Sequence, residues 1–348
     1  MVRWFIVLIK LVCVWLFGCG EGYKIIKNGY TVGEGGIYKE GKKINVYGLN
    51  WFGFETCVKA PHGLEYRTVD DYMKIIKQYG FNALRLPVSL DVINNNGVVD
   101  RQKVSADPDY PSEPLQGFIY VLNKAKENGL YVVIDFHNFN CNNIDKNLEG
   151  YIVDKKAWFD ALSKLAEISK NYDNVIGIDI FNEPYKLSWN EWKNLFMQAF
   201  DVIMKINNNL LVIVQGIGND DEDVKDYPVF WGENLSKAEY ISNKILYTPH
   251  VYSPSYALQP YFKSIDLLPE VWDMHFGHLY YFALGEFGSK FTDIDKQWEE
   301  IFIDYMKKKG VNVWFYWALN GDTDGGFFTP DWQNINQNVV NFLNKLKF

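Results

Sequence analysis

Cysteine is scarce in this chain, with four in 348 residues, and no Cys-x-x-Cys pair or Cys/His cluster occurs. Such spacing is what a structural zinc site needs, so none is expected. Basic charge is short as well: 35 Lys and Arg against 43 Asp and Glu leave a net charge of −8. There is no basic field to collect nucleic acid. An anionic polysaccharide would be mildly repelled, and a neutral one would not. No apolar run has the ~20 residues of a transmembrane span, because the N-terminal one is broken by Lys10. No Pro/Ser/Thr-rich linker divides the chain, so one domain is expected.

What is present begins with a leader. Met1-Val2-Arg3, a short apolar run and Gly18-Cys19-Gly20 read as a secretory signal peptide over residues 1–20. Leu16-Phe17-Gly18-Cys19 also resembles a bacterial lipoprotein cleavage box, which leaves a lipid anchor at Cys19 as the alternative to free secretion. Export would put Cys57 and Cys141 in an oxidising compartment. Both follow the C-terminal ends of strand-like runs, on one face, and are expected to pair.

The mature part, residues 21–348, opens with Gly- and Lys-rich turns and short strands over 23–43. An alternation then begins and does not stop. Apolar runs suited to buried parallel strands occur at 44–50, 83–88, 131–137, 176–183, 211–216, 244–252, 282–288 and 312–319. Helical patterns follow most of them, at 69–79, 115–128, 156–172, 190–206, 296–309 and 336–345. Only faint ones follow the fifth and sixth, near 235–242 and 269–282. Gly80 and Gly129 stand where C-terminal caps are expected. Eight such units predict an α/β fold, a single (β/α)₈ barrel with a short N-terminal β segment. The rival, an open doubly wound sheet, would carry a Gly-x-Gly-x-x-Gly turn after its first strand. Here that position reads Gly48-Leu49-Asn50-Trp51-Phe52-Gly53.

In such a barrel the C-terminal strand ends build the site. Those ends read Asn50-Trp51, Arg85, His137, Asn182-Glu183, Gln215, His250 to Tyr252, Glu286 and Trp317. Polar groups at so many ends of a packed barrel are costly unless they work together. Ile180-Phe181-Asn182-Glu183-Pro184 and Leu284-Gly285-Glu286-Phe287-Gly288 place a glutamate at each of two ends. A carboxyl pair across a cleft is the minimum for cleaving a glycosidic bond. Arg85 and Tyr252 are expected to hold one carboxylate ionised, and Asn182 to meet a sugar 2-hydroxyl. His137 and His250 are expected to bind hydroxyls or tune the acid, with Trp317 as a floor under the sugar. Aromatics at 17%, including 12 Trp and 23 Tyr, lean the same way, since flat rings pack against sugar faces.

Together with His62-Gly63-Leu64, Arg85-Leu86-Pro87, Asp135-Phe136-His137, Pro249-His250-Val251-Tyr252 and Phe315-Tyr316-Trp317, these segments resemble glycoside hydrolase family five. Within it the endo-β-1,4-glucanase (cellulase) branch is most similar. The resemblance implies Glu183 as acid/base and Glu286 as nucleophile of a retaining double displacement. It gives supporting roles to Arg85, His137, Asn182, His250 and Tyr252. Substrate contacts fall on Asn50, Trp51, Tyr66, Trp231 and Trp317, and Cys57–Cys141 is a disulfide pair of the branch. Glu65-Tyr66 stands where a cleft tryptophan is common, and Asn138 where a basic residue is. The implied protein is secreted and monomeric, needs no cofactor or metal, and acts on a β-1,4-linked polysaccharide. The alternatives are a β-mannanase of the same fold and a catalytically silent β-glucan-binding protein. Asn320-Gly321-Asp322-Thr323-Asp324-Gly325, with Asp331, imitates a calcium loop but follows a strand, and is read as the last barrel loop.

Overall fold

A computed structural model describes residues 25–141, 152–218, 232, 234–256 and 265–348. Three short antiparallel strands come first: β1 (Tyr30–Gly33), β2 (Gly36–Lys39) and β3 (Lys42–Ile44). The barrel follows. Its strands are β4 (Val46–Asn50), β5 (Ala83–Ser89), β6 (Tyr131–Asn138), β7 (Val175–Asp179) and β8 (Leu211–Val214), each parallel to the last. The sixth unit is split. β9 (Ile245–Tyr247) pairs with β8, whereas β10 (His250–Tyr252) pairs with β11 (Glu286–Gly288). The break falls at Thr248-Pro249, where proline has no N–H to give a ladder. β12 (Val313–Tyr316) pairs with β4 and bridges to Leu284, which closes the ring. The expected barrel and its N-terminal β segment are both present.

Helices cover the outside: α1 (Val69–Gln78), α2 (Leu90–Ile93), α3 (Pro114–Glu127), α4 (Lys155–Ser169), α5 (Trp189–Ile206), α6 (Leu268–Trp272), α7 (Lys296–Lys309) and α8 (Gln337–Leu346). α1 shows why the pattern was readable. Thr68 and Asp71 form a reciprocal capping box, and Val69, Tyr72, Met73 and Ile76 bury one stripe. Gly80 and Gly129 take positive φ just past α1 and α3, as the sequence implied. Among the described residues, the fifth unit has only a 3₁₀ turn over Leu235–Lys237, and the sixth has a 3₁₀ turn over Ile265–Leu267 that leads into α6 and a π turn over Asp273–Gly277. No helix of the described residues is long and apolar enough to cross a membrane.

Two apolar clusters divide the labour. The larger lies between strands and helices, and the smaller fills the lower barrel with Val46, Ala83, Val133, Ile176, Leu211, Leu246 and Phe315. Ile37 and Tyr30 of the hairpin strands plug its underside. Gly48 is needed there, since a Cβ would meet the Phe315 ring at 2.3 Å. Above this floor the inward positions turn polar. Residues two apart share a strand face, so Arg85 stands above Ala83, and Asp135 and His137 above Val133.

Candidate active site

Arg85 is the centre of the polar layer and is fully buried. Nη1 donates to Glu286 Oε1 at 2.5 Å and to Asn50 Oδ1 at 2.9 Å. Nε and Nη2 donate to Asp179 Oδ2 at 3.1 and 2.8 Å, and Nη2 also reaches Asn182 Oδ1 at 3.0 Å and Asp135 Oδ2 at 3.1 Å. A planar fork serves so many acceptors at once; a lysine could not.

Glu286, at the start of β11, is held at both oxygens. Arg85 takes Oε1, and the Tyr252 hydroxyl donates to Oε2 at 2.6 Å. Burial leaves its carboxyl above the ordinary range, only partly offset by Arg85, His137 and the Tyr252 hydrogen bond. Those opposing groups are the ones that keep a carboxylate available. Burial, with the Glu286 carboxylate beside it, holds the Tyr252 hydroxyl well above its usual pKa and therefore protonated as a donor.

Glu183 stands on the other side, four residues past the end of β7, with its side chain partly exposed. The expected strand over 176–183 stops at Asp179, so Glu183 is delivered by a turn and not by a ladder. His250 Nδ1 lies 2.9 Å from Glu183 Oε1 and 3.6 Å from Glu286 Oε2. Burial, with Arg85 and His137 nearby, keeps the His250 pKa well below 6.5, so its ring is neutral. A neutral ring facing carboxylates at Nδ1 carries its proton there. Gly285 makes room for this ring, since a Cβ there would meet His250 Nε2 at 2.7 Å. Each of Glu183, His250 and Glu286 offers an atom within 4.8 Å of the others. These three could also hold a cation. The Arg85 and Tyr252 contacts on Glu286 favour reading them as reactive carboxyls with a tuning imidazole.

His137 Nδ1 meets Asp135 Oδ2 at 2.6 Å, and Asn182 Nδ2 approaches Nε2 at 3.3 Å. Trp317 lies parallel to Phe52 (5.3 Å between centroids, 10° between planes) and to the His137 ring (6.2 Å, 15°). Tyr66 is exposed and stacks on Trp332 at 6.1 Å and 14°. Arg67 donates to the Trp332 carbonyl, which fixes that platform to the loop after β12. Cys57 and Cys141 form a disulfide with Cα atoms 5.0 Å apart, as expected.

Two expectations need correction. Asn50 and Trp51 have no exposed surface with which to bind substrate. Asn50 instead accepts from Arg85 and donates to the carbonyls of Gly285, Phe315 and Tyr316. Trp51 packs on Tyr72 and donates Nε1 to the His62 carbonyl. Trp231 lies outside the described residues, as does the leader with Cys19. Asp135 and Asp179 were missed as partners of Arg85. The signal was there: Asp135 is two residues before His137 on the same strand face, and Asp179 closes an apolar run.

With that geometry established, comparison with known proteins is specific. The sequence profile described as "Cellulase (glycosyl hydrolase family 5)" matches residues 38–323. The chain belongs to glycosyl hydrolase family 5. Similar members include the major extracellular endoglucanase of Xanthomonas campestris pv. campestris, 29% identical over 331 residues, covering 88% of this chain and 68% of that one. An endoglucanase of Paenibacillus polymyxa is 29% identical over 346 residues, covering 91% and 86%. Among solved structures, a cellotetraose complex of an endocellulase from Pyrococcus horikoshii superposes with a TM-score of 0.80 at 28% identity, covering 92% of this chain and 98% of that one.

This family 5 chain ties its cleft rim together through a histidine. His62 Nδ1 meets Asp322 Oδ2 at 2.6 Å, and its ring lies edge-on to Phe52. Asp324 pairs with Lys290 at 2.7 Å, and Asp331 accepts from Thr329 and the Gln333 N–H, so the calcium-like carboxylates have separate partners. Burial works against the His62 charge, but Asp322 outweighs it and raises the pKa. A histidine raised on folding adds stability that is present below its unfolded pKa of about 6.5 and lost as pH rises through the folded value. Asp322→Asn is therefore expected to lower Tm at pH 6 and to change little at pH 9. Equal losses at both pH values, by calorimetry, would remove the ion pair from the account.

Proposed function

We propose that this family 5 chain is a secreted retaining endo-β-1,4-glucanase acting on cellulose or mixed-linkage β-glucan. One observation carries the reading. Glu183 and Glu286 present oxygens within 4.8 Å of each other, with Arg85 and Tyr252 gripping the two oxygens of Glu286. That spacing favours retention, for which carboxyls stand ~5–5.5 Å apart, over inversion at ~6.5–9.5 Å. The names of the endoglucanase relatives and the cellotetraose held by the structural neighbour support the substrate class.

In the first step Glu286 attacks the anomeric carbon as the glycosidic bond breaks, and Glu183 gives its proton to the leaving oxygen. In the second, Glu183 takes a proton from water as that water attacks the same carbon and Glu286 departs. Asn182, oriented by Arg85 and His137, is assigned to the sugar 2-hydroxyl, and Trp317 to the ring face. Tyr66 and Trp231 are assigned to more distant sugars. Residues 1–20 are assigned to export, with residues 21–348 as the catalytic domain.

The test is release of reducing ends from carboxymethylcellulose, barley β-glucan and galactomannan, with product configuration followed by NMR. Activity on both glucans with initial β product is expected, together with an early fall in viscosity. Activity on galactomannan alone makes the protein a mannanase. Binding of β-glucan oligomers without turnover makes it a binding protein.

A further inference from the structure

The strand ladder fails at Glu183, and a side chain replaces it. Up to Ile180, whose N–H meets the Ile213 carbonyl at 3.2 Å, the segment after β7 is served by β8. The Asn182 N–H then turns to the opposite neighbour, reaching the Phe136 carbonyl of β6 at 3.0 Å. The Glu183 N–H has no strand left to meet. Its acceptor is Gln215 Oε1, at 2.9 Å. Glu183 also has a φ of 46°, a left-handed conformation that a non-glycine residue keeps only when its surroundings impose it.

Gln215 is suited to impose it. It has no exposed surface, and it lies one residue past β8. Its carbonyl accepts from the Trp192 indole of α5 at 3.0 Å, which pins its backbone. Its Nε2 donates to Asp179 Oδ2 at 2.9 Å, the oxygen that also receives Arg85 Nε and Nη2. One residue after Glu183, the Pro184 carbonyl accepts from Gly218 at 2.9 Å, so the two loops are sewn together on both sides of the amide. A hydrogen-bonded path thus runs from the Glu183 backbone through Gln215, Asp179 and Arg85 to the Glu286 carboxylate.

We infer that Gln215 is a positioning residue for the proton carrier: it holds the left-handed backbone of Glu183 and, through Asp179 and Arg85, references it to the nucleophile. The inference rests on the assignment of Glu183 as acid/base made above. Without the Gln215 amide, the part-buried Glu183 N–H loses this acceptor. The segment can then relax to negative φ, swinging the carboxyl away from the leaving oxygen and from His250. A displacement of ~1 Å is enough to cost ~100-fold in a positioned reaction.

Gln215→Met keeps the volume and removes both polar atoms. On barley β-glucan its kcat is expected to fall ~100-fold with KM nearly unchanged. The burst of dinitrophenolate from 2,4-dinitrophenyl β-cellobioside, which needs no acid, is expected to keep its rate within about threefold, because the leaving group departs unaided. Gln215→Glu supplies a second readout. Beside Asp179 its carboxyl takes up a proton, and protonated it reproduces both the acceptor and the donor of the amide. Its β-glucan activity is expected to approach wild type at acidic pH and to fall to the Met level at alkaline pH, which simple structural damage would not do. If the Met variant is insoluble, this pH-dependent rescue decides alone. Equal losses on both substrates in Gln215→Met, or a Gln215→Glu profile parallel to wild type, overturn the inference. Glu183→Gln run alongside separates the failures. Equal loss on both substrates there refutes the acid/base assignment, whereas discrimination there but not at Gln215 refutes only the positioning role.

Discussion

Glu286→Gln is expected to abolish turnover of β-glucan and of activated aryl cellobiosides alike, by on the order of 10⁵-fold or more. The amide is not nucleophilic, and no covalent intermediate can form, whatever the leaving group. Glu183→Gln should behave differently. On β-glucan it should lose ~10²–10⁴-fold, the ordinary contribution of a positioned acid. An aryl cellobioside with a good leaving group should still glycosylate the enzyme and release a burst of phenolate. The second step then lacks its base, so glycosyl-enzyme accumulates and can be seen by mass spectrometry. Azide, which needs no base, should restore turnover and give a β-glycosyl azide. Azide rescue of Glu286→Gln with retained configuration would reverse the two roles.

The second large effect is expected at Arg85, where stability and catalysis depend on one group. Its guanidinium lies against Asp135, Asp179 and Glu286 in a site with almost no solvent exposure. Arg85→Met leaves three buried carboxyls without their cation. Breaking such a cluster from one side costs ~3–5 kcal/mol, or roughly 4–7 °C in Tm for a domain of this size. The carboxyls would respond partly by taking up protons, which removes the nucleophile as well. Arg85→Lys keeps a charge but cannot span Glu286 and Asp179 together. It should recover part of the Tm while kcat stays down ~10²-fold or more. Thermal melts and β-glucan kinetics on the two variants check this together. A Met variant with wild-type Tm would mean that the ionic layer contributes little to the fold.

Legibility differed sharply between residues at the same strand ends. Glu183, Glu286, Arg85, His137, His250 and Tyr252 could be picked out because a polar residue within or at the end of an apolar run is conspicuous in one dimension. The capping of α1 by Thr68 and Asp71 and the glycine stops at Gly80 and Gly129 were readable for the same reason: they act within one turn of chain. Trp51 misled. An aromatic beside a strand end looks like a sugar platform, yet its burial depends on Tyr72 and His62, which arrive from later in the chain. Asn50 misled likewise, since its partners Arg85, Gly285 and Phe315 belong to other strands.

The sequence by itself determined the alternation of strand and helix and the face on which the polar ends gather, and it singled out the two glutamates to which the catalytic roles are assigned. Period, capping and composition are local properties, and a chain displays them without being folded. Only the tertiary structure decided that Arg85 is shared among Asp135, Asp179 and Glu286, that β9 and β10 divide one strand between two neighbours, and that Gln215 supplies the acceptor Glu183 cannot find in the ladder. The physical reason is closure. Bending eight strands into a ring brings side chains from four other strand ends within hydrogen-bond reach of one guanidinium. Which buried charge is matched to which is then set by distances that no spacing along the chain encodes.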